Sequence, residues 1–512
     1  MSASRPEDRP EDEDIVDEHD MLDADEAGEE IIPEDEDNPM DSDPEDATAG
    51  DDVEIQVQND SIGHFDLHKD SIFSISAHPL NPSIVATGSG DDSVYVFSSA
   101  ISSPVLPTSY ESSPKGARES LQPIAHLTGH KDSVNALAFS LPDGEYLVTT
   151  GMDGKLRAHV CPAPESLAQG SYPLLAEMQE VDEITWLVAC PHPSYPNTFA
   201  IGAIDGSVWV YTVDKTSSTP IQVIQAYYLH TAPTTAGAWS QSGSLLASVA
   251  EDSSLFVYDV FGDAAAANVS STGQALISIS ADDQRFAVEG GLYSVAFAPS
   301  GTFLATGGAE GIIRIVGLPL ITSPQAASTT AAPPQTKPRK GTGPKSKASG
   351  KQNISTSGGG GQAGQILASL QAQSDGVETL AFAPAPLTLL AAGSVDSSIA
   401  LFDTSANFAV RRLIRDAHDG EALVQVAFAD QKDKAAVLTS CGMDGVVRRW
   451  DTRGASNASS SSSSSGLGLI AEWKGHRGGG EGGGVLGFVV GDGRIVTAGD
   501  DSVSLVFDVD RV

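Results

Sequence analysis

A short motif appears eight times along the chain, and its clearest copy is the segment Ser440–Asp451, which reads S-C-G-M-D-G-V-V-R-R-W-D. The motif predicts a strand, a tight turn over residues 443–445 and a second strand over residues 446–450. Asp and Gly suit the turn, whereas β-branched and aromatic residues suit a pleated, half-buried surface. Because the pattern is repeated, it restricts the chain to a fold built from one recurring β unit.

Each copy has an acidic residue in its turn, and a residue that is usually aromatic follows six positions later. The turn acids are Asp91, Asp153, Asp205, Asp252, Glu310, Asp396, Asp444 and Asp501. Other short strands precede the hairpins, for example over residues 134–139 and 377–382, and residues 124–127 supply a fourth type of strand. Four short strands per unit are typical of a propeller blade, so we expect an all-β fold with eight blades.

Several units begin with a Gly-His or related pair, such as Gly129-His130, and one unit ends with the dipeptide Trp450-Asp451. This arrangement resembles the WD-repeat family, which implies a single eight-bladed β-propeller over residues 59–512. The family's repeats are offset from its blades. We therefore expect residues 61–67 to form the outer strand of the last blade and to close the ring without an open edge.

The segment 1–58 is rich in Asp, Glu and Pro, and its only Arg or Lys residues are Arg5 and Arg9. Such a segment cannot bury enough apolar surface to offset the entropy lost on ordering, so we predict a disordered acidic tail. The tail either keeps the protein soluble or helps to hold a basic client. We also predict flexible insertions at 98–122 and 455–468, and a disordered basic, low-complexity insertion at 318–364. The basic insertion reads as a tolerated linker or, alternatively, as a nuclear-import or RNA-touching element.

The composition favours some classes of partner over others. The formal net charge of −40 argues against direct DNA binding and favours a cationic partner. The three cysteines, Cys161, Cys190 and Cys441, form neither a disulfide framework nor a zinc motif, which fits a reducing compartment. The sequence shows no secretory signal and no apolar run of membrane-spanning length. We expect a monomer located in the cytoplasm, with the nucleus as a second possible location.

Two sets of residues hold the side-chain types of a nucleophilic triad. One contains His418, Ser440 and Asp444, and the other contains His130, Thr149 and Asp153. Catalysis needs one site with an oxyanion hole, whereas these groups occupy repeated positions. In WD repeats such residues form a buried hydrogen-bond network, so the resemblance implies a structural role for the residues His130, Asp153, His418, Ser440, Asp444 and Trp450. We find no metal or nucleotide motif, and we predict a protein without cofactors that is not an enzyme.

Acidic residues exceed what the turns require. On a propeller, the loops that enter the innermost strands and the turns of the hairpins lie on one face, where acids can steer a Lys/Arg-rich ligand. The predicted partner-binding acids are Asp70, Asp92, Asp132, Asp182, Glu183, Glu251, Glu310, Asp375, Glu378, Asp419, Glu421 and Asp500. Solvated loop charges are the alternative at any one position. Trp186 reads either as an aromatic anchor near these acids or as a core residue.

The order of the repeats resembles a narrower group, the ribosome-assembly WD-repeat chaperones, which includes the angio-associated migratory cell protein. The segments that carry the likeness are G-H-K-D-S-V at Gly129, V-D-E-I-T-W at Val181, D-G-V-E-T-L-A-F at Asp375 and the final D-D-S-V-S-L-V-F-D at Asp500. The resemblance implies a dedicated chaperone that binds the basic N-terminal segment of a nascent large-subunit ribosomal protein and delivers it to late pre-60S ribosomes. The alternatives are a signalling or trafficking scaffold and a histone-type acidic chaperone.

Overall fold

The structure is a computed structural model that describes residues 58–101, 121–267, 269, 274–321, 362–429, 436–453, 468–478 and 482–509. The acidic tail predicted at 1–58 lies outside these ranges except for Gln58. Most of the insertions predicted at 98–122, 318–364 and 455–468 lie outside them as well.

The described residues form short strands with very little helix. The first four blades contain, in chain order, β2 (Ile72–Ala77), β3 (Ile84–Ser89), β4 (Val94–Ser98), β5 (Pro123–Leu127), β6 (Ala136–Phe139), β7 (Tyr146–Thr150), β8 (Lys155–Val160), β9 (Leu174–Gln179), β10 (Ile184–Ala189), β11 (Thr198–Ala203), β12 (Ser207–Val213), β13 (Ile221–Tyr228), β14 (Thr234–Trp239), β15 (Leu246–Ala250), β16 (Leu255–Tyr258) and β17 (Ile277–Ile279). A short helix, α1, spans Asp263–Ala266, and a 3-10 turn spans Pro164–Ser166.

The second half repeats the pattern. Its strands are β18 (Leu292–Phe297), β19 (Phe303–Gly308), β20 (Ile312–Gly317), β21 (Ile366–Gln371), β22 (Val377–Phe382), β23 (Leu389–Ser394), β24 (Ile399–Asp403), β25 (Ala409–Ile414), β26 (Leu423–Phe428), β27 (Val437–Gly442), β28 (Val447–Asp451), β29 (Leu469–Trp473), β30 (Val485–Gly491), β31 (Arg494–Gly499) and β32 (Ser504–Asp508), while β1 (Gly63–Phe65) precedes them all. A second 3-10 turn spans Ala309–Gly311.

These strands form eight four-stranded sheets. Seven of the sheets consist of four consecutive strands, starting with β2–β5, and every pairing is antiparallel. The first strands of the seven consecutive sheets, together with β30 of the eighth, contact one another around the whole circle, from β2 and β6 to β30 and back to β2. These strands are therefore innermost, and the predicted eight-bladed, all-β propeller is confirmed.

The eighth blade joins the two ends of the described chain. Its order is β1-β32-β31-β30, with Gly63 opposite Val506 and Phe65 opposite Ser504. Asp60 adds a second link, because its backbone N–H donates to the carbonyl of Lys474 at 2.8 Å and its carboxylate accepts from the Lys474 N–H at 2.9 Å. The predicted closure of the ring is confirmed, with a shorter paired segment than residues 61–67.

Neighbouring blades share hydrophobic clusters. One cluster combines Val148 and Leu156 of the second blade with Phe199 and Tyr211 of the third, all of them buried. Removing this apolar surface from water supplies the main stabilising free energy between blades.

Trp186 fills the gap between the third and fourth blades. Its side chain is only 7% exposed, and a Cβ atom added to Gly237 would lie 2.2 Å from the indole ring. The absence of a side chain at Gly237 is what makes room for the ring. Trp186 is therefore a core residue, and its burial excludes the alternative role of an exposed aromatic anchor.

Candidate functional site

One face of the propeller is formed by the hairpin turns between the second and third strands of each blade, together with the loops that enter the innermost strands. We call it the hairpin-turn face. In the second blade, the Asp153 carboxylate of the turn accepts from the backbone N–H of Lys131 in the entering loop at 3.0 Å. In the first blade, Asp91 accepts from Lys69 in the same way, at 2.9 Å. In these blades the turn aspartate thus holds the entering loop against the hairpin.

A buried hydrogen-bonded chain lies beneath this face in the seventh blade. His418 contacts Asp444 through Nδ1 and Ser440 through Nε2, both at 2.8 Å. The indole N–H of Trp450 donates to the Ser440 Oγ at 2.9 Å. A single histidine tautomer satisfies all of these groups, because Nδ1–H then donates to the carboxylate while Nε2 accepts from the serine hydroxyl.

The second blade contains the same arrangement without the tryptophan. His130 lies 3.1 Å from Asp153 through Nδ1 and 3.0 Å from the Thr149 hydroxyl through Nε2. The structure therefore brings together each predicted set of structural residues within its own blade.

Arg448 was not singled out in the sequence, yet it connects this buried chain to the surface. Its guanidinium contacts Asp444, the exposed Asp419 at 2.7 Å and Glu472 at 2.9 Å. Burial alone would raise the pKa of Asp444, but the hydrogen bond from His418 and the charge of Arg448 hold that pKa below its usual value. Asp444 is therefore ionised across the physiological range.

The structure places all the predicted partner-binding acids on the hairpin-turn face, but their surroundings differ. Those that are solvent-exposed are Asp70, Asp132, Asp182, Glu251, Glu310, Asp375, Glu378 and Asp419, and those that are half-buried are Asp92, Glu183, Glu421 and Asp500. Two of them already have strong partners within the chain. Asp419 pairs with Arg448, and Asp500 accepts from the Ser71 hydroxyl and the Gly482 N–H, both at 2.6 Å. These two carboxylates are the least available to a ligand.

One group of acids surrounds Tyr293, the second residue of β18. Burial, followed by the charges of Glu378, Glu251 and Asp375, raises the pKa of Tyr293. Burial and the charge of Asp375 likewise raise the pKa of Glu378. The turn that carries Glu310 contacts β22, the strand of Glu378. We call Glu251, Glu310, Asp375 and Glu378 the acidic cluster.

Among the residues that the structure describes, the acidic cluster has no cationic partner. Within the described part of the chain, the carboxylates of Glu251, Glu310 and Glu378 form no ion pair, and that of Asp375 only accepts from the N–H of Gly376 at 2.7 Å. Like charges held together without compensation raise one another's pKa and attract a cation. The cluster can therefore bind Lys or Arg side chains without first breaking an internal ion pair.

A bulge near the start of the innermost strand gives the face a second feature. In seven blades the register shifts after the first paired residue, as between Ile72 and Ser74 or between Leu292 and Ser294. A β-bulge redirects the side chain of its extra residue. We call the residue at this bulge position of each innermost strand a mouth residue. With Asn135 at the matching position in the second blade, the mouth residues are Phe73, Asn135, Thr185, Thr235, Tyr293, Glu378, Val424 and Leu486.

Most polar mouth residues bind the neighbouring blade. The Asn135 amide donates to the carbonyl of Ile184, and the Thr235 hydroxyl donates to the carbonyl of Leu292 at 2.6 Å. Of the mouth residues, Glu378 was predicted from the sequence, whereas Tyr293 and the apolar ones were not. The signal that could have found them is their shared position, directly after the Val, Ile, Leu or Thr residue at the entry to each innermost strand.

The part of the chain that the structure describes contains no helix long and apolar enough to cross a membrane. It also contains no group of three or more His, Cys, Asp or Glu residues arranged to hold a metal ion.

Comparison with known proteins places this geometry in a family. Residues 59–98, 121–158, 221–259 and 270–316 match the family model described as WD domain, G-beta repeat. Among solved structures, this chain resembles the crystal structure of Chaetomium thermophilum Sqt1 bound to the N-terminus of the ribosomal protein L10. The two chains share 47% sequence identity and superpose with a TM-score of 0.71, and the match covers 88% of this chain and 100% of the Sqt1 chain.

Two curated proteins support the same placement. The ribosome assembly protein SQT1 of Saccharomyces cerevisiae is 35% identical over 193 residues, which span 38% of either chain. The human angio-associated migratory cell protein is 22% identical over 399 residues, covering 78% of this chain and 72% of that protein. With an eight-bladed propeller and a full-length structural relative at 47% identity, the chain belongs to the Sqt1 family of WD40-repeat proteins.

Proposed function

We propose that this protein is a dedicated chaperone for a large-subunit ribosomal protein, the counterpart of L10. It binds the basic N-terminal segment of the newly made client on its hairpin-turn face and escorts the client through the cytoplasm to late pre-60S ribosomes. The observation that carries this proposal is the acidic cluster, whose four carboxylates have no cationic partner among the described residues. The crystallised Sqt1 relative, bound to the N-terminus of L10, supports the same client.

The mechanism is reversible binding without covalent chemistry. A free ribosomal protein carries Lys and Arg side chains that later contact rRNA phosphates, and an acidic face covers those charges in the meantime. The same charge complementarity speeds association, because opposite potentials steer the encounter. Release follows when rRNA, which has a higher charge density, competes for the same cations. A histone-type chaperone would use similar electrostatics, and the identity of the client distinguishes the two functions.

A pull-down of the tagged protein from translating cells tests the proposal. We expect one large-subunit ribosomal protein to co-purify, and a synthetic peptide of the L10 N-terminal segment to bind the purified chain. The matched control is a peptide of equal net charge from a histone tail, which should bind more weakly. Recovery of histones or of mixed signalling proteins in place of a ribosomal protein would refute the assignment.

Binding should also depend on pH through Glu378, whose pKa is raised in the free protein. A bound cation favours the ionised carboxylate, so binding lowers this pKa and releases protons. Affinity for the L10 peptide should therefore fall as the pH is lowered from about 7 to about 5. Calorimetry in two buffers of different ionisation enthalpy measures the proton release. The variant Glu378→Gln should bind more weakly at neutral pH and release fewer protons; equal proton release by both proteins would exclude Glu378 as the linked group.

A further inference from the structure

Three successive mouth residues are apolar. Val424, Leu486 and Phe73 occupy the bulge position in the seventh, eighth and first blades, which are neighbours around the ring. The Phe73 side chain is 42% exposed, and Leu486 is half-buried. Val424 partly packs against the cluster around Val485, whereas Phe73 and Leu486 belong to none of the hydrophobic clusters formed by the described residues. We call Phe73 and Leu486, with Val424 beside them, the apolar arc.

Acids border the apolar arc. A Cβ atom added to Gly90 would lie 3.0 Å from the Asp70 carboxyl carbon and 3.1 Å from the Phe73 ring, so the ring and this carboxylate are close neighbours. Across the blade boundary, Ser71 donates to Asp500 of the eighth blade at 2.6 Å. An exposed aromatic ring beside a carboxylate suits a ligand that combines an apolar side chain with a neighbouring cation.

The fold itself does not require apolar residues here. At the mouth positions of the second and fourth blades, Asn135 and Thr235 instead bind backbone carbonyls of the next blade. An apolar side chain at the same bulge gains no such bond and remains in contact with water. The contiguity of three of them, on the face that carries the acidic cluster, points to an intermolecular contact.

We propose that the apolar arc is a subsite for a large apolar side chain, aromatic or aliphatic, of the client's basic segment. The inference rests on the proposed function and deepens it. Charge alone attracts any basic protein, whereas an apolar side chain seated on Phe73 and Leu486 distinguishes one basic segment from another of equal charge. The acidic cluster thus drives capture, and the apolar arc selects the client.

The test uses the full chain, the L10 N-terminal peptide and the variants Phe73→Ser and Leu486→Ser. The double variant should bind the peptide roughly 10- to 50-fold more weakly, while the slope of log Kd against log salt stays unchanged because no charge is lost. Phe73→Leu should restore most of the affinity. The matched control is Val490→Ser, which removes an exposed apolar side chain (43% exposed) near the other end of β30 and should leave binding unchanged.

Polylysine serves as the purely electrostatic probe and should bind the wild type and the double variant equally. A peptide whose aromatic and aliphatic residues are replaced by serine should bind both proteins equally as well. If the natural peptide binds the double variant as tightly as the wild type, the subsite is refuted while the chaperone function stands. If the wild type does not bind the natural peptide at all, both proposals fail.

Discussion

Replacing Glu251 and Glu310 together by lysine should weaken binding of the L10 N-terminal peptide by about a hundredfold at low salt. Both side chains are exposed in hairpin turns of the acidic cluster, and their carboxylates make no internal hydrogen bond or ion pair within the described residues. Each reversal turns an attraction into a repulsion, which we place at about 1–2 kcal/mol per site at a partly solvated surface. Titration of a fluorescent peptide at several salt concentrations measures the effect.

The salt dependence distinguishes this effect from misfolding. At about 0.5 M salt the Debye length is only a few ångströms, so the difference between the variant and the wild type should nearly vanish. The matched control is Glu165→Lys, which reverses an exposed acid in the turn after β8, at the opposite end of the second blade. An equal loss of affinity in that control would show that net charge, rather than the acidic cluster, attracts the peptide.

Replacing Asp444 by alanine should lower the free energy of unfolding by about 3–5 kcal/mol. The substitution removes a buried carboxylate from His418 and Arg448, and it leaves the imidazole Nδ1–H without its acceptor. Urea denaturation followed by tryptophan fluorescence measures the change.

The matched control is Asp205→Ala, at the same turn position in the third blade. Asp205 is exposed, and its carboxylate accepts only from the N–H and hydroxyl of Ser207 in the described structure. Its loss should lower the free energy of unfolding by about 1 kcal/mol. Similar losses at Asp444 and Asp205 would show that turn formation, and not the buried network, sets the stability of the seventh blade.

The pH dependence of the Asp444 effect has a defined sign. A carboxyl group whose pKa is lower in the folded protein contributes stability above its unfolded pKa of about 4 and loses that contribution as the pH falls through the folded value. The difference between the wild type and Asp444→Ala should therefore be full at neutral pH and shrink in acid.

The repeated turns and strands predicted the fold because they are local signals. A tight turn such as residues 443–445, flanked by β-branched and aromatic residues, specifies a hairpin almost independently of its surroundings. Ring closure was also predictable, since the segment at Ser61 matches the outer-strand sequence at Pro123. These features need no knowledge of which blades become neighbours.

The contacts of individual side chains could not be predicted from the sequence. Asp419 read as an available acid, yet Arg448, 29 residues later in the chain, binds it. Tyr293 lies beside acidic residues only in the folded protein, because Glu251 and Glu378 belong to other blades. The bulges that set the orientation of the mouth residues Phe73 and Leu486 depend on strand register. Each of these depends on packing between segments that are distant in sequence.

The pairing of β1 with β32 also affects how the protein folds during translation. Phe65 lies in the first of the described strands to be made, whereas its partner Ser504 lies in the last. Contacts between such distant segments form slowly, and until they form, the unpaired edges of the incomplete circle are open to wrong partners. A protein proposed to guard another nascent chain is thus itself vulnerable during translation, and its binding face is complete only after β32 has been made.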